Sequence, residues 1–360
     1  MKILPGIVFL LIIGIAVNLS LPIDMQAGQQ NQNRRPRGSQ PPPLPPPNSG
    51  PPGPVNEPTG PINCPGLREC SPSENELPTE LKVSFPGPGG MTLRGHLYVP
   101  GVRTNAELRG LSKAPRARVS DPNASLAGTA GLRALVHTLP AVIYNHGSDP
   151  NPDGEPTIAR IYVAHGYIFF APDRHGQGLS KRAGAYISDE VDKIRDDPNF
   201  EEELVDLHEK YNRDVIAAVE WFKQQPYVDA NRIVMTGLSF GGIQTLMTAE
   251  KDPGIRAYIP FAPGAMSWSK VVLDNKLTDI VRNDRAPMFI IQAHGDYNLG
   301  PIETLGPILE MKGDPSKWKS KLYPQFGCTN EDAHIRFAKN CDGIAIWSPD
   351  VLEFIDHILN

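Results

Sequence analysis

The sequence predicts an α/β fold, with a mostly parallel central sheet flanked by helices and an antiparallel hairpin at its N-terminal edge. From residue 140 onward, short apolar runs alternate with amphipathic stretches, and apolar runs of this kind indicate parallel strands that are buried on both faces. Before them, two segments of alternating apolar and polar residues lie on either side of residues 86–90, PGPGG. That arrangement predicts the hairpin.

Each element follows from its local pattern. The hairpin strands are predicted at 81–85 and 91–99, and the parallel strands at 141–144, 167–171, 233–236, 257–261, 288–292 and 321–323. Apolar residues that recur every three or four positions predict a helix; they are Leu204, Leu207, Tyr211, Val215, Ala218 and Phe222. Ser348 followed by Pro349 is typical of a helix N-terminus, so the last helix is expected to begin there. Residues 101–138 have no sustained period and are expected to form an inserted surface loop with room for one short helix.

The N-terminal part of the chain differs in composition from the rest. Lys2 precedes an apolar run from 3 to 17, which has the length of a signal-peptide core and is short for a membrane span. Residues 1–27 are therefore predicted to be a signal peptide, with retention as a short N-terminal anchor as the alternative. Residues 28–78 are rich in proline and are predicted to be a disordered spacer, either a passive tether or a contact to the cell envelope. Residues 79–360 then form one globular domain of a secreted or periplasmic protein.

Charge and cysteine content narrow the class of protein. A net charge of −5 without a long basic run gives no electrostatic footprint for binding nucleic acid. Four cysteines in an exported chain favour disulfide bonds over metal ligands or free thiols. The simplest of the three possible pairings joins neighbours along the chain, Cys64 with Cys70 and Cys328 with Cys341.

One serine lies where a strand is expected to give way to a helix. Ser239 stands in the sequence Gly237-Leu-Ser-Phe-Gly-Gly242, directly after the predicted strand 233–236. A sharp strand-to-helix turn needs glycines on both sides of the serine, because larger side chains would collide with neighbouring backbone. The N–H groups that open the helix can then face the charge that develops on an attacked carbonyl oxygen. The pattern predicts a nucleophile elbow with Ser239 as the nucleophile.

From about residue 81 to the end, the chain resembles the dienelactone hydrolase-like branch of the α/β-hydrolases and, more distantly, the catalytic domain of prolyl oligopeptidases. The matching segments are 144–148 (YNHGS), 173–178 (DRHGQG), 214–226 leading into the serine elbow, 292–296 (QAHGD) and 323–334. Dienelactone hydrolases use a cysteine where this chain has Ser239, which favours ordinary ester hydrolysis over lactone cleavage. Prolyl oligopeptidases carry a propeller domain for which the sequence has no repeat pattern. The resemblance implies a serine hydrolase with the α/β-hydrolase fold.

In that fold the triad follows the chain order nucleophile, acid, base. Asp296 follows the predicted strand 288–292 and His334 follows the strand 321–323, so they fill the acid and base positions. His146, His175, His294 and His357 compete for the base position, but His294 precedes the acid, His357 falls on the last helix, and the other two are expected to shape loops. The oxyanion hole is assigned to the backbone N–H groups of Phe240 and Ser148. The segment 173–178 is expected to buttress the sheet edge.

The surroundings of the triad bear on the substrate. Trp268 and Tyr297 are candidates for an apolar substrate wall, with core packing as the alternative for Trp268. The connecting segments leave room for at most a small lid, so the site is expected to be open. No metal or organic cofactor is expected. These features predict an exported serine esterase acting through an acyl-enzyme on a small or polymeric ester; a dipeptidyl- or oligopeptidase-type serine peptidase and a non-catalytic binding protein on the same scaffold are the alternatives.

Overall fold

One mixed sheet organises the part of the chain that the computed structural model describes, residues 77–111 and 138–360. Its eight strands lie in the order β1-β2-β4-β3-β5-β6-β7-β8. Their bounds are β1 Leu81–Pro86, β2 Thr92–Tyr98, β3 Leu139–Asn145, β4 Ile168–Asp173, β5 Val228–Leu238, β6 Ala257–Phe261, β7 Met288–Ala293 and β8 Trp318–Tyr323. Every strand that the apolar runs predict is present, and each observed strand overlaps the predicted range.

The strand directions confirm the predicted hairpin and parallel sheet. β1 pairs antiparallel with β2, and β2 pairs antiparallel with β4. All remaining pairs, from β4–β3 through β7–β8, are parallel. The carboxyl ends of β3, β5, β6, β7 and β8 therefore meet at one edge of the sheet, where ligands bind in open α/β sheets.

Helices cover both faces of the sheet. Their bounds are α1 Asn105–Leu111, α2 Pro156–Ala164, α3 Ile187–Ile194, α4 Phe200–Lys223, α5 Phe240–Lys251, α6 Val271–Asn283, α7 Gly300–Met311 and α8 Cys341–Leu359. Short 3₁₀ turns span Pro88–Gly90 and Gly178–Ala183, a π-helical turn spans Asp332–Arg336, and a single helical turn follows at Phe337–Lys339. The apolar stripe predicted between 204 and 222 is the buried face of α4.

Alternation along the central strands builds two cores. In β4, Ile168 and Phe170 pack in the core beneath α4 to α7, whereas Phe169 and Ala171 pack in the core beneath α2 and α8. Because successive strand residues point to opposite faces, a strand covered on both sides must be apolar throughout. This two-sided burial is the reason that the runs in the sequence are continuous.

The last helix begins earlier than the sequence predicts. It starts at Cys341, and the side chain of Asn340 accepts a hydrogen bond from the Asp342 N–H as its N-cap. The expectation that Ser348 and Pro349 open this helix is therefore wrong, since Pro349 lies in its interior. A proline inside a helix costs about 3 kcal/mol, and the buried Ile344 and Trp347 of the preceding turns offset that cost.

Several predictions fall partly or wholly outside the described residues. The short helix allowed within the insertion is α1, while residues 112–137 are not described. The predicted signal peptide, nearly all of the spacer, and Cys64 and Cys70 also lie outside the described ranges. Within those ranges, no helix combines the length and the apolar character that crossing a membrane requires.

Candidate active site

Ser239 sits in a strained turn between β5 and α5. Its backbone φ is +59° and its ψ is −117°, a conformation that is sparsely populated for residues other than glycine and costs about 1–3 kcal/mol. The Ser239 N–H donates to the Phe261 carbonyl at 3.0 Å, and the Ser239 carbonyl accepts from the Ile243 N–H at 3.0 Å. The turn is thus held by β6 on one side and by the first turn of α5 on the other.

The glycines around Ser239 allow a close approach between β5, α5 and β3. A β-carbon added to Gly237 would lie 2.5 Å from the Gly241 carbonyl oxygen, and one added to Gly241 would lie 1.9 Å from the Asn145 carbonyl oxygen. Neither position accepts a side chain without backbone movement. The collision that the sequence pattern implies is therefore present, and Asn145, at the end of β3, is one of the residues that impose it.

The acid and the base of the predicted triad meet at the same sheet edge. Asp296 follows β7, and His334 lies in the π-helical turn after β8. The Nδ1 atom of His334 lies 2.8 Å from Oδ1 of Asp296, and at most 1% of either side chain is exposed. The Nε2 atom of His334 is buried and has no hydrogen-bond partner in the described part of the chain. This leaves Nε2 free to exchange a proton with a hydroxyl group.

Neighbouring groups fix the carboxylate of Asp296. Its Oδ1 accepts the Tyr297 N–H at 2.6 Å, and its Oδ2 accepts Nε2–H of Gln292 at 3.0 Å. Asn330 donates from Nδ2 to the carbonyls of Gly295 and Asp296, at 2.8 and 3.2 Å. The acid is thereby tied both to β7 and to the segment that carries His334. Sequence reasoning placed Gln292 in a motif but gave Gln292 and Asn330 no role.

The loop after β3, residues 146–149, carries the predicted oxyanion donor Ser148 and is called the Ser148 loop below. A β-carbon added to Gly147 would lie 3.8 Å from the Leu238 carbonyl oxygen and 4.0 Å from the Ser239 β-carbon, so this loop faces the elbow. Ser148 itself is exposed, and its carbonyl accepts the Tyr186 hydroxyl at 2.5 Å. The other predicted donor, Phe240, opens α5.

Arg174 forms hydrogen bonds to backbone carbonyls of the same loop. Its Nη2 donates to the carbonyls of His146 and Gly147, at 2.8 and 2.7 Å, and its Nε donates to Gln177 at 3.1 Å. Gln177 in turn donates to the carbonyls of Gly147 and Asp149, at 3.3 and 2.8 Å. The segment 173–178 therefore binds the loop that carries Ser148. The supporting role that the sequence predicts for this segment is directed at that loop.

Burial determines the charge state of the groups around Arg174. It lowers the pKa of the guanidinium, to about 9, because a cation loses its hydration in the interior. Burial together with the charge of Arg174 also holds the pKa of His146 well below its usual value, so that this imidazole is neutral. Its Nδ1 lies 2.9 Å from Nη2 of Arg174. The same Nδ1 lies 2.9 Å from the carbonyl oxygen of Gly147.

A buried ion pair joins the two sides of the site. Glu155, on the segment after the Ser148 loop, pairs with Lys339, which lies in the helical turn after His334. Glu155 is 5% exposed, and 25% of the Lys339 side chain is exposed. Burial raises the pKa of Glu155, and the charge of Lys339 opposes that shift. No sequence pattern indicates this pair, because its members are far apart along the chain.

The two candidate wall residues have different surroundings. Tyr297 is 44% exposed, and its ring meets His334 edge to face with centroids 5.4 Å apart. Trp268 is 8% exposed and belongs to the core beneath α4 to α7, so the alternative of core packing describes it better. Met266 and Ile335, which sequence reasoning did not single out, expose 63% and 38% of their surfaces. Met266 follows β6 and Ile335 follows His334, so the sheet edge that carries the triad residues has exposed apolar side chains.

Cys328 and Cys341 lie on either side of the His334 turn. Neither is a free thiol in the described ranges. Because Cys64 and Cys70 lie outside those ranges, the proposed pairing of the four cysteines stays a prediction.

Comparison with known proteins agrees with this architecture. A model of the prolyl oligopeptidase family matches residues 204–283, which run from α4 through the serine elbow to α6. The chain is similar to the polyketide transferase grgF of Penicillium sp., with 29% identity over 188 residues, 49% of this chain and 58% of that protein. It is also similar to dipeptidyl-peptidase 5 of Porphyromonas gingivalis, with 30% identity over 129 residues, 34% of this chain and 16% of that protein. The chain thus spans less than two thirds of the length of either relative.

Among solved structures, an esterase of Pyrococcus furiosus superposes with a TM-score of 0.51 at 15% identity, covering 82% of this chain and 96% of that one. The sheet order, the antiparallel edge pair and the helices on both faces are those of an α/β-hydrolase. The chain therefore has the α/β-hydrolase fold.

Proposed function

We propose that the protein is an exported serine esterase that works through a triad of Ser239, His334 and Asp296. The observation that carries the proposal is the buried His334 with Nδ1 2.8 Å from Asp296 and an unpartnered Nε2. It lies at the sheet edge where Ser239 is held in a strained elbow. A histidine with one ring nitrogen beside a carboxylate and the other free is the arrangement that general-base activation of a serine requires.

The reaction follows from these groups. The Ser239 hydroxyl attacks the ester carbonyl while Nε2 of His334 takes its proton, and Asp296 stabilises the imidazolium that forms. The N–H groups of Phe240 and Ser148 hold the oxyanion of the tetrahedral intermediate. His334 then returns the proton to the leaving alkoxide, which leaves an acyl-enzyme. Water attacks the acyl-enzyme by the same route, releases the acid and restores Ser239.

An ester substrate is favoured by the surface around the base. Tyr297 contacts His334 and is substantially exposed, and the adjoining Ile335 is exposed as well. This surface suits an ester with an apolar acyl or alcohol part. The second candidate, a serine peptidase, is supported by the prolyl oligopeptidase family match and by the similarity to dipeptidyl-peptidase 5.

Two substrate series separate these candidates. The purified protein is assayed on nitrophenyl esters of increasing chain length and on dipeptidyl nitroanilides, with Ser239→Ala as the inactive variant and Ser269→Ala as a control at an exposed serine of the same sheet edge. We expect ester turnover that Ser239→Ala abolishes and Ser269→Ala leaves unchanged. Faster turnover of the anilides would favour the peptidase. A folded protein that hydrolyses neither series and does not react with a fluorophosphonate would instead be a binding protein on this scaffold.

Export is a separate part of the proposal. It is supported by the signal-like segment 1–27 and by cysteines on both sides of the His334 turn that are not free thiols. A bond between Cys328 and Cys341 would close a loop around His334 and stabilise the protein by about 3 kcal/mol in the chain-entropy model. N-terminal sequencing of the protein recovered outside the cytoplasm should show cleavage near residue 27. Peptide mapping without reduction identifies the pairs, and recovery of four free thiols from exported protein would contradict the proposal.

A further inference from the structure

Arg174 is a fully buried cation whose hydrogen-bond partners include two carbonyls of the Ser148 loop. It is 1% exposed, and its Nη2 donates to the carbonyl oxygens of His146 and Gly147. No carboxylate of the described residues pairs with it within hydrogen-bond distance. Burying a guanidinium is costly unless dipoles or charges compensate it, so these carbonyls are held toward Arg174 by a strong, charge-assisted interaction.

The direction of those carbonyls fixes the direction of the next N–H groups. In a trans peptide unit, the C=O and the N–H that it shares point in opposite directions. With the Gly147 carbonyl turned toward Arg174, the Ser148 N–H must point away from it. With the His146 carbonyl turned the same way, the Gly147 N–H also points away. Gly147 lies against Ser239, so the elbow adjoins the loop whose donors are oriented in this way.

Arg174 also touches the other half of the predicted oxyanion hole. Its Cζ lies 4.3 Å from the centroid of the Phe240 ring, and Phe240 is 5% exposed. A guanidinium over an aromatic ring is attracted to the ring face, most strongly when both are desolvated. One side chain therefore contacts both halves of the predicted oxyanion hole: it binds the Gly147 carbonyl, whose peptide unit carries the Ser148 N–H, and it lies over the Phe240 ring.

We propose that Arg174 is a positioning residue for the oxyanion hole, which sets the separation and direction of the Ser148 and Phe240 N–H donors together. The inference rests on the proposed serine hydrolase function. Besides geometry, the cation polarises the Gly147–Ser148 peptide, because drawing electron density to the carbonyl makes the attached N–H a stronger donor. Lysine does not replace arginine in this role, since its compact ammonium lacks the planar guanidinium that binds the two carbonyls through Nη2 and Gln177 through Nε while it lies over the Phe240 ring.

The test compares Arg174→Met and Arg174→Lys with the wild-type enzyme, and uses Arg213→Met, at an exposed arginine of α4, as the control. Active sites are first titrated to completion with a fluorophosphonate, so that kcat refers to folded, reactive protein only. We expect kcat of Arg174→Met on a nitrophenyl ester to fall by about 10² to 10³, the effect of losing an oxyanion donor, while KM changes by less than about 3-fold. Arg174→Lys should stay at least about 10-fold below wild type.

A second measurement separates positioning from general support of the fold. A trifluoromethyl ketone forms a tetrahedral adduct whose oxyanion needs both donors, so its affinity should fall by the same factor as kcat/KM. The affinity for the carboxylic acid product should not change. A purely structural role would lower the titrated active fraction and the Tm, but leave kcat per active site and ketone affinity near wild type, and that result would overturn the inference.

If Arg174→Met does not fold, Phe240→Leu decides the question. This variant removes the ring but keeps the Phe240 N–H, so kcat and ketone affinity should fall together by about 3- to 10-fold if the ring contact positions the donor. Unchanged values for both would refute the inference. Failure of the proposed function is distinguishable, because it shows as undiminished turnover in Ser239→Ala whatever the Arg174 variants do.

Discussion

Replacing Gly241 with alanine tests whether the elbow depends on contact between α5 and β3. The added β-carbon would lie 1.9 Å from the Asn145 carbonyl oxygen and 2.6 Å from the His146 carbonyl oxygen. Carbon and oxygen normally approach to about 3.3 Å, so the two backbones must separate by about 1.4 Å. Both contacts are backbone atoms at buried positions, and a rotamer change cannot relieve them.

That separation opens the site between its two halves. The Phe240 N–H adjoins Gly241 on α5, and Ser148 follows His146 on the β3 loop, so the oxyanion donors move apart by about 1 Å. A displacement of this size costs about 10²-fold in rate, and overpacking lowers the free energy of unfolding by about 1–3 kcal/mol. We expect kcat of Gly241→Ala on a nitrophenyl ester to fall about 100-fold, and the Tm to fall by about 2–10 °C.

The control is Gly110→Ala. This exposed glycine of α1 has no atom within 4 Å of an added β-carbon, and alanine favours a helix by about 0.5–1 kcal/mol over glycine. It should keep wild-type kcat and a Tm that is equal or slightly higher. Wild-type turnover in a folded Gly241→Ala protein would refute the argument that close packing at the elbow sets the oxyanion geometry.

Three further predictions concern single side chains. Asp296→Asn should lower kcat by about 10⁴-fold in steady-state assays, because an amide cannot orient and stabilise the imidazolium. Asp274→Asn should raise the Tm at pH 8 but not at pH 4: burial, with Glu201 nearby, raises the pKa of Asp274 from 3.8 to about 7, so ionisation destabilises the folded state as pH rises through this window. Lys339→Met should lower the free energy of unfolding by about 3–5 kcal/mol in urea titrations, since it leaves Glu155 buried without its partner.

Each of these has a matched comparison. Asp279 is an exposed carboxylate on the same helix as Asp274, and Asp279→Asn should change the Tm by a similar amount at pH 8 and at pH 4. An equal Tm response of both variants would contradict the assignment of the raised pKa to Asp274. Adding Glu155→Gln to Lys339→Met should recover most of the lost stability, and an unimproved double variant would show that the charge of Glu155 is not the cause. Asp296→Asn should keep the wild-type Tm, so that its lower kcat reflects lost catalysis and not lost folding.

Much of the fold could be predicted because its signals are local. The strands are apolar throughout since each is covered on both faces, and the elbow is marked by Gly237 and Gly241, whose β-carbons would strike backbone. The chain order of Ser239, Asp296 and His334 then placed all three at the carboxyl edge of a parallel sheet. These inferences needed only the spacing of apolar residues within a segment and the position of that segment along the chain.

Other features depend on which distant segments meet. Nothing near Glu155 in the sequence indicates Lys339 as its partner. Arg174 belongs to a recognisable motif, but the motif does not indicate that Arg174 donates to the carbonyls of the Ser148 loop. The error at the last helix has a local cause, because the Ser348-Pro349 pair imitates a helix start while Asn340 is the actual cap. Long-range pairing and competing caps are decided by tertiary packing, which a single sequence does not display.

The contact between the elbow and the β3 loop has a consequence for how this protein can diversify. Ser239 and the proposed oxyanion donors lie at the seam between two adjacent central strands, where a β-carbon added to Gly241 would collide with the Asn145 carbonyl. The exposed side chains near the triad, Tyr297, Met266 and Ile335, lie beyond strand ends on connecting segments. In the proposed hydrolase, exchange of these outer residues can therefore change the substrate range without altering the chemical step, whereas substitution at the seam lowers activity and stability together.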